Sequence, residues 1–218
     1  MTFEQVKADH AVQVYIAKAD ETLKALGFTE HSFAHVSLCA HRAGYILQAL
    51  GYDEKSVELA KIAGYLHDIG NVVNRVDHSQ SGAVMAFRIL DRMDFPPEEI
   101  ATIVSAIGNH DEGSGVPVNP VAAALIIADK SDVRRSRVRN PQDVHDDIHD
   151  RVNYSVTHSE CLVDPEEKKL EIKLKVDTSI SSPMEYLEIF MKRMLLCRNA
   201  CQRLGLAFHL EINSQRLV

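Results

Sequence analysis

The stretch Leu66–Ala83, LHDIGNVVNRVDHSQSGA, joins a His-Asp pair at the end of an apolar run to Gly70 and then to a further histidine, His78, where a new helical pattern starts. A chain with this junction must settle titratable side chains against the edge of a core. Burying a bare polar group costs about 1–3 kcal/mol on mutational scales, and an unpaired charge costs more. Each of these side chains therefore has to be hydrogen-bonded, paired or metal-bound.

His35 in AHVSLCAHRAGYI, His110 in AIGNHDEGSG and Asp129 in ALIIADKSD also lie beside apolar helical runs. Any one of them alone reads as an ordinary satisfied side chain. With His67, Asp68 and His78 they make four imidazoles and two carboxylates, the donor types that borderline divalent metals accept. Such a set supplies two metal centres if one carboxylate bridges them. Neighbours on a helix point about 100° apart, so His67 and Asp68 can serve two metals on two sides. The helix ends expected at 67–70 and 108–110 present the negative end of the macrodipole, which favours a cation.

The first 150 residues read as helices. Residues 3–26 stop at Gly27, 32–50 stop at Gly51, 53–66 lead into the opening stretch, and 79–92 and 97–110 follow. Asn119-Pro120 and Asn140-Pro141 each place a capping side chain before a proline, which predicts two more helix starts. After about residue 152 the period changes. LEIKLKV at 170–176 alternates as a half-buried strand, 154–163 should pair with it across the turn Asp164-Pro165-Glu166-Glu167, a helix runs from Pro183 to Gly205, and AFHLEI alternates again. The predicted architecture is mostly α: a helical domain over 1–151 and a small α+β appendage, strand–strand–helix–strand, over 152–218. Leu170, Ile172, Leu174 and Val176 should be covered by Tyr186, Leu187, Phe190, Met194, Cys197 and Cys201.

With 218 residues, 45% hydrophobic and 25% charged, the chain reads as a globular protein that can bury a proper core. A net charge of −7 and a pI of about 5.9 argue against general nucleic-acid binding, which needs a broad basic face. No segment approaches the roughly 18 uncharged apolar residues of a membrane span, and the N-terminus has no signal-like apolar core, so a cytoplasmic location is expected. Cys39, Cys161, Cys197 and Cys201 are too irregular for a disulfide framework and read as buried thiols.

The order H…HD…H…H…D, with HD followed by Ile-Gly, resembles the HD-domain metal-dependent phosphohydrolase superfamily. HVSLCAH, AGYLHDIGN, HSQSGAVMA, IVSAIGNHD and IIADKSDVRR carry the resemblance, over roughly 30–145. It implies a helical bundle around a one- or two-metal site. Carried over by position, His35, His67, Asp68 and Asp129 would bind the first metal. His78 and His110 would bind a second, bridged by Asp68; the metals would be divalent ions such as iron, manganese, nickel or zinc. The short interval between Asp68 and His78 leaves open a role for His78 on substrate. His31, His41, His145, His149 and His158 have no motif counterpart and are read as surface residues or neighbours of the ligands.

The implied reaction is hydrolysis of a phosphate ester or anhydride of a nucleotide or similar small molecule by a metal-activated water. Asp68 would orient the water, and His78 or Lys130 would protonate the leaving oxygen. In the basic run after Asp129, Lys130 and Arg134 are the expected phosphate contacts. The same ligand set also serves di-iron oxygenases, and a non-catalytic nucleotide-binding or regulatory module is the remaining alternative. The appendage is expected to form a homodimer contact in preference to walling the substrate pocket.

Overall fold

The computed structural model describes residues 2–140, 142, 144 and 147–218. The fold is mostly helical with a small C-terminal α+β unit. Helices α1 (Phe3–Ala8) and α2 (His10–Ala25) lead to α3 (Phe33–Ala49), α4 (Glu54–Leu66), a 3-10 turn (Ile69–Val72), α5 (His78–Arg92), α6 (Pro97–Gly108) and α7 (Pro120–Lys130). Then come α8 (Ile148–Ser155), strands β1 (Val156–Asp164) and β2 (Lys169–Val176), α9 (Pro183–Arg203), β3 (Ala207–Ile212) and the short β4 (Gln215–Arg216).

Local chemistry sets most of these boundaries. Ser32, Asp53 and Asn119 cap α3, α4 and α7 through their side-chain oxygens, and Gly27 and Gly51, with φ of +83° and +75°, end the chain's second and third helices in the left-handed conformation. The single helix expected over 3–26 is two, because Asp9 takes extended backbone and its carboxylate caps α2 at Val12 N. The helix expected to reach His110 ends at Gly108, freeing the next residues to turn into the site. The helix start expected at Asn140-Pro141 falls partly outside the described residues; the helix seen there is α8, capped by Asp147.

α7 is the central element. Val121 through Ala128 are all buried, so the helix is apolar on every side and is packed by α3, α4, α6 and α9. Close approach needs small residues: a Cβ on Gly64 of α4 would lie 2.8 Å from the Ala40 backbone of α3. That contact brings the last turn of α4 against the turn of α3 that follows His35.

The sheet order is β1-β2-β3-β4, with β1-β2 and β3-β4 antiparallel and β2-β3 parallel through the α9 crossover. Leu170, Ile172 and Leu174 pair in register with Phe208, Leu210 and Ile212, and all six are buried. Tyr186, Phe190, Met194, Cys197 and Cys201 of α9 are buried with them in one continuous core, as the alternation requires. The expected three-stranded sheet has a fourth strand. It is made by a tight turn with Asn213 and Ser214 at φ of 51° and 66°, which Asn213 locks by bonding both backbone groups of Val176.

The crossover helix starts with a capping box. Ser182 Oγ accepts from Glu185 N, and Glu185 Oε2 accepts from Ser182 N at 2.9 Å. Arg151 of α8 donates to Glu185 Oε1 at 2.8 Å. The hydrogen bond from the Ser182 backbone and those from Arg151 and Ser181 hold the Glu185 carboxyl down at about 2. Because the folded value is depressed, this contribution to stability is present above the ordinary glutamate range near 4.5 and is lost as pH falls through about 2. Glu185→Ala should therefore lower Tm by about 2–4 °C at pH 7, with the gap to the parent closing as pH falls towards 2. Thermal melts of both proteins across that range measure it, and a gap independent of pH would contradict it.

Candidate metal centre

The six expected ligands meet at one place. His35 comes from the first turn of α3, His67 caps α4, Asp68 precedes the 3-10 turn, His78 opens α5, His110 follows α6 and Asp129 ends α7. All are buried except Asp129, which is partly exposed. Asp77, in the left-handed region at φ 56°, turns the chain so that His78 enters helix at the site. The short interval from Asp68 thus delivers His78 inward.

Two subclusters share Asp68. In the first, His35 Nε2 lies 3.3 Å from His67 Nε2 and 3.5 Å from both Asp68 Oδ2 and Asp129 Oδ1, and His67 Nε2 lies 3.3 Å from Asp68 Oδ2. In the second, His78 Nε2 lies 3.2 Å from His110 Nε2 and 3.5 Å from Asp68 Oδ1. One carboxylate oxygen of Asp68 therefore faces His35 and His67 and the other faces His78, while His110 groups with Asp68 and His67 within 4.8 Å. Asn71 Nδ2 donates to Asp68 Oδ1 at 2.9 Å and fixes its plane.

Every ring is turned the same way by its other nitrogen. Nδ1 of His67 bonds Gly64 O at 2.8 Å, that of His78 bonds Arg75 O at 3.1 Å, and that of His110 bonds Ile107 O at 2.6 Å. Nδ1 of His35 bonds the buried Asp132 carboxylate at 2.7 Å. Carbonyl and carboxylate oxygens only accept, so each Nδ1 carries a proton and Nε2 is the nitrogen each ring turns towards the site. At 3.3 Å in one subcluster and 3.2 Å in the other, each pair of Nε2 atoms must share a proton or face a cation. The donor set thus fits divalent metal, with the outward hydrogen bonds that ligating histidines typically make.

Burial and Arg137 oppose a charge on His35, but its neighbours, Asp129 and Asp132 among them, hold it well above its usual value, so a metal at its Nε2 would displace a proton. Burial would raise the Asp68 carboxyl, but the His67 and His35 rings hold it well below the usual range. Burial, with the Lys130 ammonium nearby, holds His110 well below its usual value, so it is a neutral donor. Lys130 Nζ lies 2.8 Å from Asp129 Oδ2 and 2.6 Å from Glu112 Oε2. Burial alone would lower the Lys130 ammonium, but these two carboxylates raise it, so it stays charged.

A cavity of about 450 Å³ opens onto Asp68, His78 and Asp129. Its wall includes Lys130, Glu112, Arg75, Phe28 and, from α9, Phe190 and Arg193. Phe190 and Arg193 thus bring the appendage to the wall of this cavity. Lys130 reaches this cavity and Arg134 does not. The Arg134 guanidinium is taken up by Asp132 at 2.7 Å and by Glu30 and Ser136, and it borders a different cavity beside Arg42 and His158. His31, read as peripheral, lines the main cavity with its ring 5.4 Å from that of His35, and His149 lines it too. His41 packs edge-on against Phe3, and His158 is exposed. His145 lies outside the described residues.

Sequence reasoning missed Asp132, Glu112, Arg193 and Cys39. Cys39 Sγ sits 3.7 Å from both ring nitrogens of His35 and is close enough to His67 and Asp129 to count among the donors. Its place one turn after His35 on an apolar helix was the available signal.

A helical bundle that gathers four imidazoles and two carboxylates around one cavity defines the class: a helical domain suited to holding divalent metal. Residues 32–134, just under half of the chain, match the family model of the HD domain. An uncharacterised protein of Methanocaldococcus jannaschii is 29% identical over 138 residues, which cover 53% of this chain and 52% of the relative. The chain thus spans about half the length of that curated relative. A crystal structure of a predicted HD superfamily hydrolase from an uncultured Thermotogales bacterium is similar at 24% identity with a TM-score of 0.46, covering 57% of this chain and 67% of that one. Among the described residues no helix is long and apolar enough to cross a membrane.

Proposed function

We propose that the protein is a phosphohydrolase that uses two divalent metals to cleave a phosphate ester or anhydride of a nucleotide or similar small molecule. One observation carries this reading: two pairs of histidine Nε2 atoms, 3.3 and 3.2 Å apart, converge on Asp68, whose Oδ2 lies against His35 and His67 and whose Oδ1 lies against His78. When bound, the metals supply a Lewis acid for phosphoryl oxygens and a water that ionises near neutrality. His35, His67, Asp68 and Asp129 would hold one, and His78, His110 and Asp68 the other. Asp68 then accepts a hydrogen bond from the attacking water, in a plane kept by Asn71. Lys130, charged and held between Asp129 and Glu112, donates to the phosphoryl or leaving oxygen. Lys130, Arg75 and Arg193 make the cavity wall suited to an anion, and its volume suits a small molecule. The division into a metal-holding part over 1–151 and an appendage over 152–218 belongs to this proposal.

The test is metal analysis of the purified protein, followed by a phosphate-release screen over nucleotides and sugar phosphates with each metal. Release that depends on metal supports the reading; a metal-loaded protein inert on the whole panel contradicts it. On the best substrate of that screen, Lys130→Ala should lower kcat on the order of 100-fold or more. Arg134→Ala should change KM by no more than about twofold, since its guanidinium is spent on Asp132 and Glu30. A large KM effect at Arg134 would restore it as a substrate contact.

A further inference from the structure

The HD match ends at residue 134, yet one cation of the cavity comes from α9, well beyond it. Arg193 donates through Nε to Glu112 Oε1 at 2.9 Å, and its guanidinium carbon stacks 4.5 Å from the centroid of the Phe190 ring. Nε is thus occupied and the plane is pinned by an aromatic face. Its two terminal nitrogens have no hydrogen-bond partner among the described residues, and the side chain borders the same cavity as Asp68, His78 and Lys130. Two parallel N–H groups left open on an immobilised plane match two oxygens of one phosphate.

The local charge also calls for an anion. Glu112 is shared by two cations, Lys130 at 2.6 Å and Arg193 at 2.9 Å. Asp129 is the other partner of Lys130, and its Oδ1 faces His35 and His67. Once Asp129 serves the metal centre, one positive charge stays unbalanced in a part-buried wall. A chain of contacts, Arg193 to Glu112 to Lys130 to Asp129, links that charge to the ligands.

We infer that Arg193 is a substrate-binding residue, the fork by which the C-terminal unit binds a phosphate group in the cavity that the HD segment leaves open on this side. The inference rests on reading the cavity as a phosphate site, and it makes the C-terminal unit part of the binding pocket. Arginine is required at this position because lysine offers a point charge without the fork.

The experiment titrates inorganic phosphate into the manganese-loaded full chain by calorimetry, for wild type, Arg193→Gln and Arg193→Lys, with metal content and Tm measured on each. The expected result is binding to wild type, a Kd about tenfold weaker for Arg193→Gln and about threefold weaker for Arg193→Lys, at unchanged metal content. Absence of binding to wild type, or a Kd for Arg193→Gln within about twofold of wild type, would overturn the inference. If Arg193→Gln fails to fold, Arg193→Lys decides: an unchanged Kd overturns it, a weakened one supports it. Phosphate binding that depends on Arg193 in a protein that releases no phosphate from any ester would keep this inference and remove the hydrolase reading.

Discussion

Asp68→Ala is expected to strip metal from both halves of the centre and abolish hydrolysis while leaving the helical domain folded. One carboxylate oxygen lies 3.3 Å from His67 Nε2, the other 3.5 Å from His78 Nε2, so on the proposed assignment a single truncation removes a ligand from each subcluster. Loss of an outer partner of a metal ligand typically costs 10–100-fold in metal affinity or activity, and loss of a shared direct ligand costs more. The drop in activity should exceed about 100-fold. Asp132→Ala is the graded comparison. It removes only the carboxylate that orients His35 through Nδ1, so it should weaken metal binding by about 10–100-fold and leave the second subcluster intact. Metal content by elemental analysis and phosphate release measure both variants. An Asp68→Ala protein with full metal content would remove the bridging assignment.

Gly70→Ala should be the most damaging substitution for stability. A Cβ there would lie 2.0 Å from His78 O and 2.4 Å from Gly82 N, and both are backbone atoms of the first turns of α5. Neither can swing aside as a side-chain tip would, so the 3-10 turn and α5 must separate. Overpacking of this kind costs about 3 kcal/mol or more. The displaced element carries His78, so metal bound at the second subcluster should fall along with Tm. Gly108→Ala serves as the control, since its Cβ would meet only Ala83 Cβ at 3.6 Å and Gln80 at 3.8 Å. Thermal melts should show Gly70→Ala far below wild type and Gly108→Ala close to it; equal Tm values would refute the close-approach role of Gly70.

This answers why the His-Asp pair is followed so soon by glycine. Gly70 lets the chain double back tightly enough for α5 to begin against the site, and Asp77 completes the reversal. The motif was legible because its parts are local: a helix end, a glycine and a helix start. The caps at Ser32, Asp53, Asn119 and Ser182 were legible for the same reason, as each acts within its own first turn. The alternation in β2 and β3 also foretold which face is covered, since one side of each strand must meet α9.

What escaped is what tertiary packing decides. Arg134 and Arg193 are both arginines on polar surfaces of their segments. Arg134 is drawn to Asp132 and Glu30, and Arg193 is drawn to Glu112 and Phe190, partners far away in sequence. Nothing local distinguishes them. Asp132 stands three residues after Asp129 and was passed over, because its role depends on His35 arriving from another helix. The break at Asp9 was hidden because α1 and α2 continue one apolar pattern while the cap between them costs a single residue. β4 was hidden by its length of two residues.

The most direct test of the two-metal account is an anomalous-difference map from crystals grown with manganese. Two peaks are expected, one within His35, His67, Asp68 and Asp129 and the other within His78, His110 and Asp68, with Asp68 touching both. A single peak under saturating manganese, or density away from these six side chains, would contradict the account.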